Sequence, residues 1–535
     1  GGDSIISIQA VSRMQRAGYV CTIKDLFEER TIARLSHRIQ SSNAQSLVKA
    51  EQGVLRDAFG LLPIQQYFFD LVSLDRYLCP HHYNQSFMIQ VPSLCMDQLD
   101  VCLTALVRQH DALRLRFVKV DNAYHQVYCS EIELPTRHHI SVTGLSEEDL
   151  HDQLTGLQDK FNYTDGSLWS VAYLTGYADG SARLWFAFHH LIIDAVSWRI
   201  LKEDLEELYK GRALPDKTSS YRQWVEAVAC YAKTHMDDIP YWQSQLAGLP
   251  DYNHYKTSHR SQTNIELSAE LTDQLLHHVN AVYHTEINDL LLTALAYALL
   301  DWLGGDCHGV SLEGHGREMI DETVDVGQTV GWFTTIFPVK LTLSDDIGES
   351  IQWIKESLRL IPDKGLGYSA LCQLDNALTM QVLPCIVFNY LGQFDSRSDE
   401  GNHWSFSNES SGDAMDRREQ AQELLTINGS VHHGRLQLSV VLSCDPVSLN
   451  TFAQAYQRHL RRIIDHCVRQ VENEQVVFTK SDFPGISLSP SWLSRFQEML
   501  KDQSYRLQSI NAASSLQRGF IYHALSEPND DAYRV

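Results

Sequence analysis

Residues 182–211, ARLWFAFHHLIIDAVSWRILKEDLEELYKG, hold the clearest pattern in the chain. Residues 184–188 are an unbroken apolar and aromatic run of strand length, which predicts a buried strand. Trp198, Leu201, Leu205 and Leu208 then recur at spacings of three and four, which predicts an amphipathic helix that Gly211 ends. Ser197 stands at its expected N-cap. The same periodicity predicts a helix through Leu99, Leu103, Leu106 and Leu113, and another over residues 219–233. Residues 286–305 are apolar nearly all round, the mark of a buried helix, with Asn288 as cap and Gly304-Gly305 as stop.

Strand-like and helix-like pieces alternate from residue 61 to 211, which predicts an α/β (α+β) lobe. Helix 219–233 would connect it to a second lobe. That lobe is predicted to hold a short strand in GVSLEGHGRE that breaks at Gly314 and Gly316, a strand TVGWFTTIFPVKL (329–341) and a glycine-hinged turn PDKGLGYSAL (362–371). A strand PCIVFNYLGQFD (384–395), a further strand closing INGSVHHGRLQLSVVLSCD and a long helix over 450–468 complete it. At the start of the chain, Ser4 follows a Gly-Gly-Asp turn and precedes a helical pattern through Ile5, Ile8 and Val11. A second short helix is predicted through Ile32, Leu35 and Ile39. Residues 40–53 are polar and read as a linker, and 483–513 as a loop and linker.

The length of 535 residues exceeds a single compact core, so two or more domains are expected. A net charge of −23 argues against a nucleic-acid surface, which needs basic patches. No apolar run approaches the ~20 residues of a membrane helix, and no signal peptide opens the sequence. The 11 cysteines are scattered without a CxxC, so neither a zinc site nor a disulfide framework is suggested and a reducing, cytoplasmic setting fits. His81-His82, His277-His278 and His432-His433 are paired as well, with no metal spacing, so adjacency alone does not single out His189-His190.

Neighbouring residues at a strand end face opposite ways, so one of His189 and His190 can face a cavity while the other is packed. Such a histidine is either a satisfied structural imidazole or a base with Asp194 nearby. Ser4 alone reads as an N-capping serine, Glu313 as an ion-pair partner of Arg317 or a base, and Asn389 and Tyr390 as strand-end packing.

The motif HHLIIDAVSW resembles the HHxxxDxxSW signature of the condensation-like superfamily of nonribosomal peptide synthetases, in the form carried by epimerization domains. Ala195 stands where that family usually has glycine. EGHGRE, VGWFT, PDKGLGY and FNYLGQF follow in the family's order, and LLPIQQYFFDL resembles its opening segment; Ser369 replaces a final glycine. The resemblance covers residues 53–482 and implies two chloramphenicol-acetyltransferase-like lobes in a V-shaped pseudo-dimer, with a channel between them. It divides into an N lobe of about 54–230 and a C lobe of about 231–482. GGDSI resembles the attachment motif of a peptidyl carrier protein, so residues 1–40 would be the C-terminal part of a carrier helical bundle and 41–53 its linker. Ser4 would carry 4′-phosphopantetheine. SSLQRGFIYHALSEPNDDAYRV (514–535) resembles the start of a downstream condensation domain.

The implied activity is L-to-D epimerization at the α-carbon of an aminoacyl or peptidyl thioester. Thioester attachment removes the carboxylate charge and leaves a carbonyl that can hold an enolate, so neither pyridoxal nor a metal is needed. His190 would be one acid/base or enolate-stabilising group and Glu313 the opposing one. Asn389 and Tyr390 would line the channel. Asp194 would orient the loop by pairing with an arginine, His189 would be structural, and Glu318, past the glycine turn, is the poorer acid/base candidate. The expected partners are the carrier in cis, an upstream adenylation domain and a downstream condensation domain. A condensation-type acyltransferase would use the same second histidine, but needs no facing glutamate. A silent carrier-docking module would need neither.

Overall fold

The computed structural model describes residues 7, 10, 11, 14, 19–21, 25, 26, 29, 31–41, 48–374, 378–393, 404–419 and 422–526. The chain divides into two compact units. One comprises Gly1–Thr272, Cys307–Lys340 and Ile361–Gln454; the other comprises Asp273–Asp306, Leu341–Leu360 and Ala455–Val535. The fold is mixed α/β, the class expected.

The larger unit carries a five-stranded sheet in the order β14 (Ser405–Ser407), β4 (Asn84–Val91), β9 (Ala182–His189), β8 (Trp169–Thr175), β7 (Arg137–Ser141). β9 lies antiparallel between β4 and β8 and is buried at every position. Its apolar run is unbroken because both faces are covered, not one. A three-stranded sheet, β3 (Asp57–Phe59), β6 (Ala123–Tyr128), β5 (Leu115–Val120), stands beside it in the chain. The third sheet runs β10 (Ser261–Glu266), β16 (Arg435–Leu442), β15 (Leu425–His432), β13 (Ile386–Gln393), β11 (Cys307–Gly314), β12 (Thr335–Thr342). β11, β13 and β15 are parallel neighbours, whereas β15 and β16 form an antiparallel pair across the His433-Gly434 turn.

Three local expectations are corrected. The helix Ala195–Tyr209 is capped by Asp194, whose carboxylate accepts the Ser197 N–H at 2.7 Å, so Ser197 lies inside the first turn. The buried helix Ile287–Leu303 of the smaller unit starts from Glu286, whose N–H donates to Asp289 at 2.7 Å, rather than from Asn288; it stops at Gly304 as expected. The strand expected over 329–341 starts only at Thr335. Upstream of it, the Gly331 and Phe333 N–H groups and the Gly331 and Trp332 carbonyls are bonded to Ser197, Asp194 and Tyr221 side chains, which takes them out of a ladder.

At the start of the chain, β1 (Tyr19–Val20) pairs with β2 (Gln40–Ser41), and Val11, Cys21 and Leu35 form a small buried cluster. Among the described residues this does not amount to the helical bundle expected of 1–40, and Ser4 lies outside them. The helix Ser515–Ser526 buries none of its residues.

Gly316 is a position where backbone geometry allows no side chain. Its φ is +65°, and a Cβ there would fall 1.7 Å from the Phe333 carbonyl oxygen. Gly316→Ala is expected to destabilise the protein by about 2–3 kcal/mol through strain and displacement of that carbonyl. Urea unfolding should show a lower midpoint with an unchanged slope.

Candidate active site

β9 ends at His189, and His190 opens a short 3-10 turn through Ile192 that leads to Asp194 and its helix. His189 is fully buried, with Nε2 at 2.8 Å from the Pro80 carbonyl and Nδ1 accepting the Leu191 N–H at 3.2 Å. Those bonds fix the Nε2–H tautomer and use both ring nitrogens, and burial pushes the ring down to about 3. His190 is the reverse tautomer. Its Nδ1 lies 3.0 Å from the Ile193 carbonyl, which only an N–H can satisfy, so Nε2 presents a lone pair to the Gln85 amide at 2.7 Å. The ring is held between Tyr83, at 5.4 Å and 18°, and Trp332, at 4.3 Å. Burial pushes it down to about 4, which keeps it neutral at pH 7.

Asp194 meets Arg317 of the EGHGRE motif: both carboxylate oxygens lie 3.1 Å from Nη2, which also donates to Ser197 Oγ at 3.0 Å. Arg317 Nη1 donates to the Val326 and Thr329 carbonyls at 2.8 and 2.6 Å, and its guanidinium lies over the Phe333 ring at 3.8 Å. Arg317 is thus committed to Asp194 and does not pair with Glu313. The His190 turn and the segment around Trp332 are fastened to one another through this ion pair.

Glu313 reaches its place by strand register. Ser311 of β11 is level with Val387 of β13, so two residues on, Glu313 and Asn389 stand side by side on one face. The Asn389 amide donates to Glu313 Oε2 at 2.7 Å. Tyr390, the next residue, is paired across the ladder with Gly429 of β15, where a Cβ would press on Leu438 at 2.8 Å and only touch the Tyr390 ring. Burial, and then the negative charge of Glu423, push the Glu313 carboxyl up to about 7. The Tyr83 phenol is raised by burial first and then by the charge of Glu313, so the ring stacked on His190 is also an electrostatic neighbour of Glu313. Glu318 faces elsewhere, between His315 at 3.1 Å and Lys364 at 3.5 Å.

Tyr83, Gln85 and Glu423 carry no sequence signal, since each acts across a long loop from an ordinary strand or turn position. Trp332 has one, in VGWFT, but the apolar pattern there predicts a strand. Among the described residues no cluster of His, Cys, Asp and Glu could hold a metal ion, and no helix is long and apolar enough to cross a membrane.

Comparison with known proteins agrees with this mixed α/β architecture. The chain belongs to the condensation-domain family, whose model matches residues 56–482. It is 32% identical over 561 residues to bacitracin synthase 3 of Bacillus licheniformis, covering all of this chain and 9% of that protein. It is 33% identical over 539 residues to gramicidin S synthase 1 of Brevibacillus brevis, covering 94% of this chain and 48% of that protein. The chain therefore spans less than half the length of these relatives. Among solved structures it is similar to the epimerization domain from the third module of tyrocidine synthetase B, with a TM-score of 0.71 and 32% identity, covering 79% of this chain and 99% of that one. The condensation domain of the monacolin K polyketide synthase shares the fold, at a TM-score of 0.62 and 15% identity.

The raised Glu313 carboxyl has a consequence for stability. It binds its proton more tightly folded than unfolded, so the fold loses stability as pH rises from about 4.5 through about 7. Glu313→Gln keeps an acceptor for Asn389 and removes the ionisation. Relative to low pH, the variant is expected to gain up to about 3 kcal/mol over wild type at pH 8, with that gain gone by about pH 3.5. Denaturant unfolding at the two pH values checks this.

Proposed function

We propose that the chain is an epimerization domain of a nonribosomal peptide synthetase, inverting the α-carbon of an aminoacyl or peptidyl thioester brought to it on a phosphopantetheine arm. The observation that carries this reading is the half-buried Glu313 carboxyl, held by Asn389 and poised near neutrality, next to the Tyr83 ring that stacks on His190. A proton carrier for a carbon acid works best with a pKa near the working pH. Peptide-bond formation makes no demand for such a group. Likeness to a solved epimerization domain and the ordered motifs from HHLIIDAVSW to FNYLGQF support the same choice.

In this mechanism Glu313 Oε2 is engaged by Asn389, so Oε1 takes the α-proton. His190, neutral and locked by Ile193, presents the Nε2 lone pair on the edge that Gln85 occupies. Once that nitrogen has taken up a proton, the imidazolium can return it to the other face of the α-carbon or donate to the enolate oxygen. Asp194 and Arg317 hold the turn and do no proton transfer. Tyr390 is a relay candidate from the neighbouring strand position. Carrier, adenylation and downstream condensation partners, with Ser4 as attachment point, complete the proposal.

The test is α-proton exchange. The chain is incubated in deuterium oxide with soluble L-aminoacyl-pantetheine thioesters, and deuterium and chirality are read by mass spectrometry after cleavage. Deuterium uptake with a D/L mixture is expected, reduced about 10²–10⁴-fold in His190→Ala and in Glu313→Ala. With Glu313 as the abstracting base, the rate should rise with pH through about 7 as its carboxylate forms. Amide formation with an added amine and no α-exchange would replace this reading by acyl transfer.

A further inference from the structure

The polar stretch 40–53 predicts a free linker, yet residues 49–55 are bonded along their length to the larger unit. Lys49 N–H donates to the Thr323 carbonyl at 2.9 Å, and its own carbonyl accepts from Ser219 Oγ at 2.9 Å and Gln223 at 3.1 Å. Glu51 takes Ser220 Oγ and Arg222. Gln52 makes a reciprocal pair with Lys217, donating to its carbonyl at 2.9 Å and accepting its N–H at 3.1 Å. The Lys217 ammonium spans Gly53 and Asp111, and Asp111 also takes the Leu55 N–H at 3.2 Å. A random linker would make no such set of directional bonds.

The node of this docking is Ser219, which is fully buried. Besides holding Lys49, its Oγ accepts the Asp325 N–H at 3.0 Å, its N–H donates to the Asp325 carbonyl at 2.8 Å, and its carbonyl accepts Thr329 Oγ1 at 2.6 Å. Val326 and Thr329 are the two residues whose carbonyls hold Arg317, and Arg317 holds Asp194. A small cavity of about 30 Å³, lined by Glu51, Lys217, Ser219 and Thr329 among others, adjoins the node. It has room for a water or two, so the junction rests on hydrogen bonds more than on close packing.

We propose that Ser219 is a positioning residue for the His190–Asp194 turn, and that the docked segment 49–55 is part of the same device, registering the chain upstream to the active site. The path is continuous: segment 49–55, Ser219, loop 325–329, Arg317, Asp194. It predicts that loosening the segment, far from any reacting atom, loosens the turn. The proposal takes the His190 turn as the catalytic one, but its structural part can be read without any reaction.

The experiment is hydrogen–deuterium exchange by mass spectrometry on the full chain, comparing wild type with Ser219→Ala and with the double variant Glu51→Ala/Gln52→Ala. Exchange of amides in 194–199 and 329–333 should rise about tenfold or more in both variants, while 184–188 of β9 stays protected. Thioester α-exchange should lose kcat with KM unchanged, and Glu51→Gln, which keeps hydrogen bonding, should restore both when paired with native Gln52. The double variant leaves the core intact and decides the matter if Ser219→Ala does not fold. If only the 49–55 amides change and 194–199 and 329–333 do not, the proposal is overturned. If the amides respond but wild type shows no α-exchange, the positioning stands and the epimerase reading falls.

Discussion

The rest of the larger unit depends on a single buried ion pair. Asp194 and Arg317 are almost entirely out of water, and withdrawing two such charges costs several kcal/mol each unless their bonds are satisfied. Here all but one are: the carboxylate also accepts the Ser197 and Phe333 amides, and the guanidinium donates to two carbonyls and a hydroxyl, with Nε alone left without a hydrogen bond among the described residues. Removing either partner would strand the other charge, a loss of about 3–5 kcal/mol. Because Asp194 and Arg317 lie 123 positions apart in sequence, the pair fixes geometry that no local preference could. It brings the His190 turn, the EGHGRE loop and the Trp332 segment to one arrangement.

Around that anchor, one physical cause has opposite effects on two groups. Loss of water disfavours charge, so it raises a carboxyl and lowers an imidazole. Glu313 moves up to about 7 and His190 down to about 4, so at neutral pH the imidazole is uncharged and the carboxyl is divided between its two forms. The fixed hydrogen bonds then set their roles: Ile193 decides the tautomer of His190, and Asn389 decides which oxygen of Glu313 is left for a proton.

The sequence is most legible where one element explains itself. The strand before His189 shows as an apolar run because β9 is covered on both faces, and the following helix by its three-four spacing. Its cap lies three residues before the expected one because both Asp194 and Ser197 are good caps, and only the meeting with Arg317 decides between them. The strand across VGWFT is shorter than its pattern for the same kind of reason: apolar content promises a ladder, but three partners from other segments take its backbone. In PDKG the glycine is visible as a hinge. That Asp363 and Lys364 before it are also left-handed is not, since an aspartate enters that region only as a minority state and a lysine gives no sign of it. His190 and Glu313 stand out by motif; Tyr83 and Gln85, which touch the imidazole, do not, because nothing in an alternating strand distinguishes a residue that faces a site from one that faces the core.

The parallel run of β11, β13 and β15 also bears on how the molecule is made. Parallel neighbours cannot be joined by a tight turn, so each pairing waits for distant chain. Glu313 meets Asn389 across 76 positions, and Arg317 meets Asp194 across 123. On a ribosome the His190 turn would emerge long before its arginine, and Glu313 long before its asparagine. Asp194 would therefore wait unpaired until Arg317 is made, and Glu313 until synthesis passed β13, so the contacts of this site close well after its first residues are born.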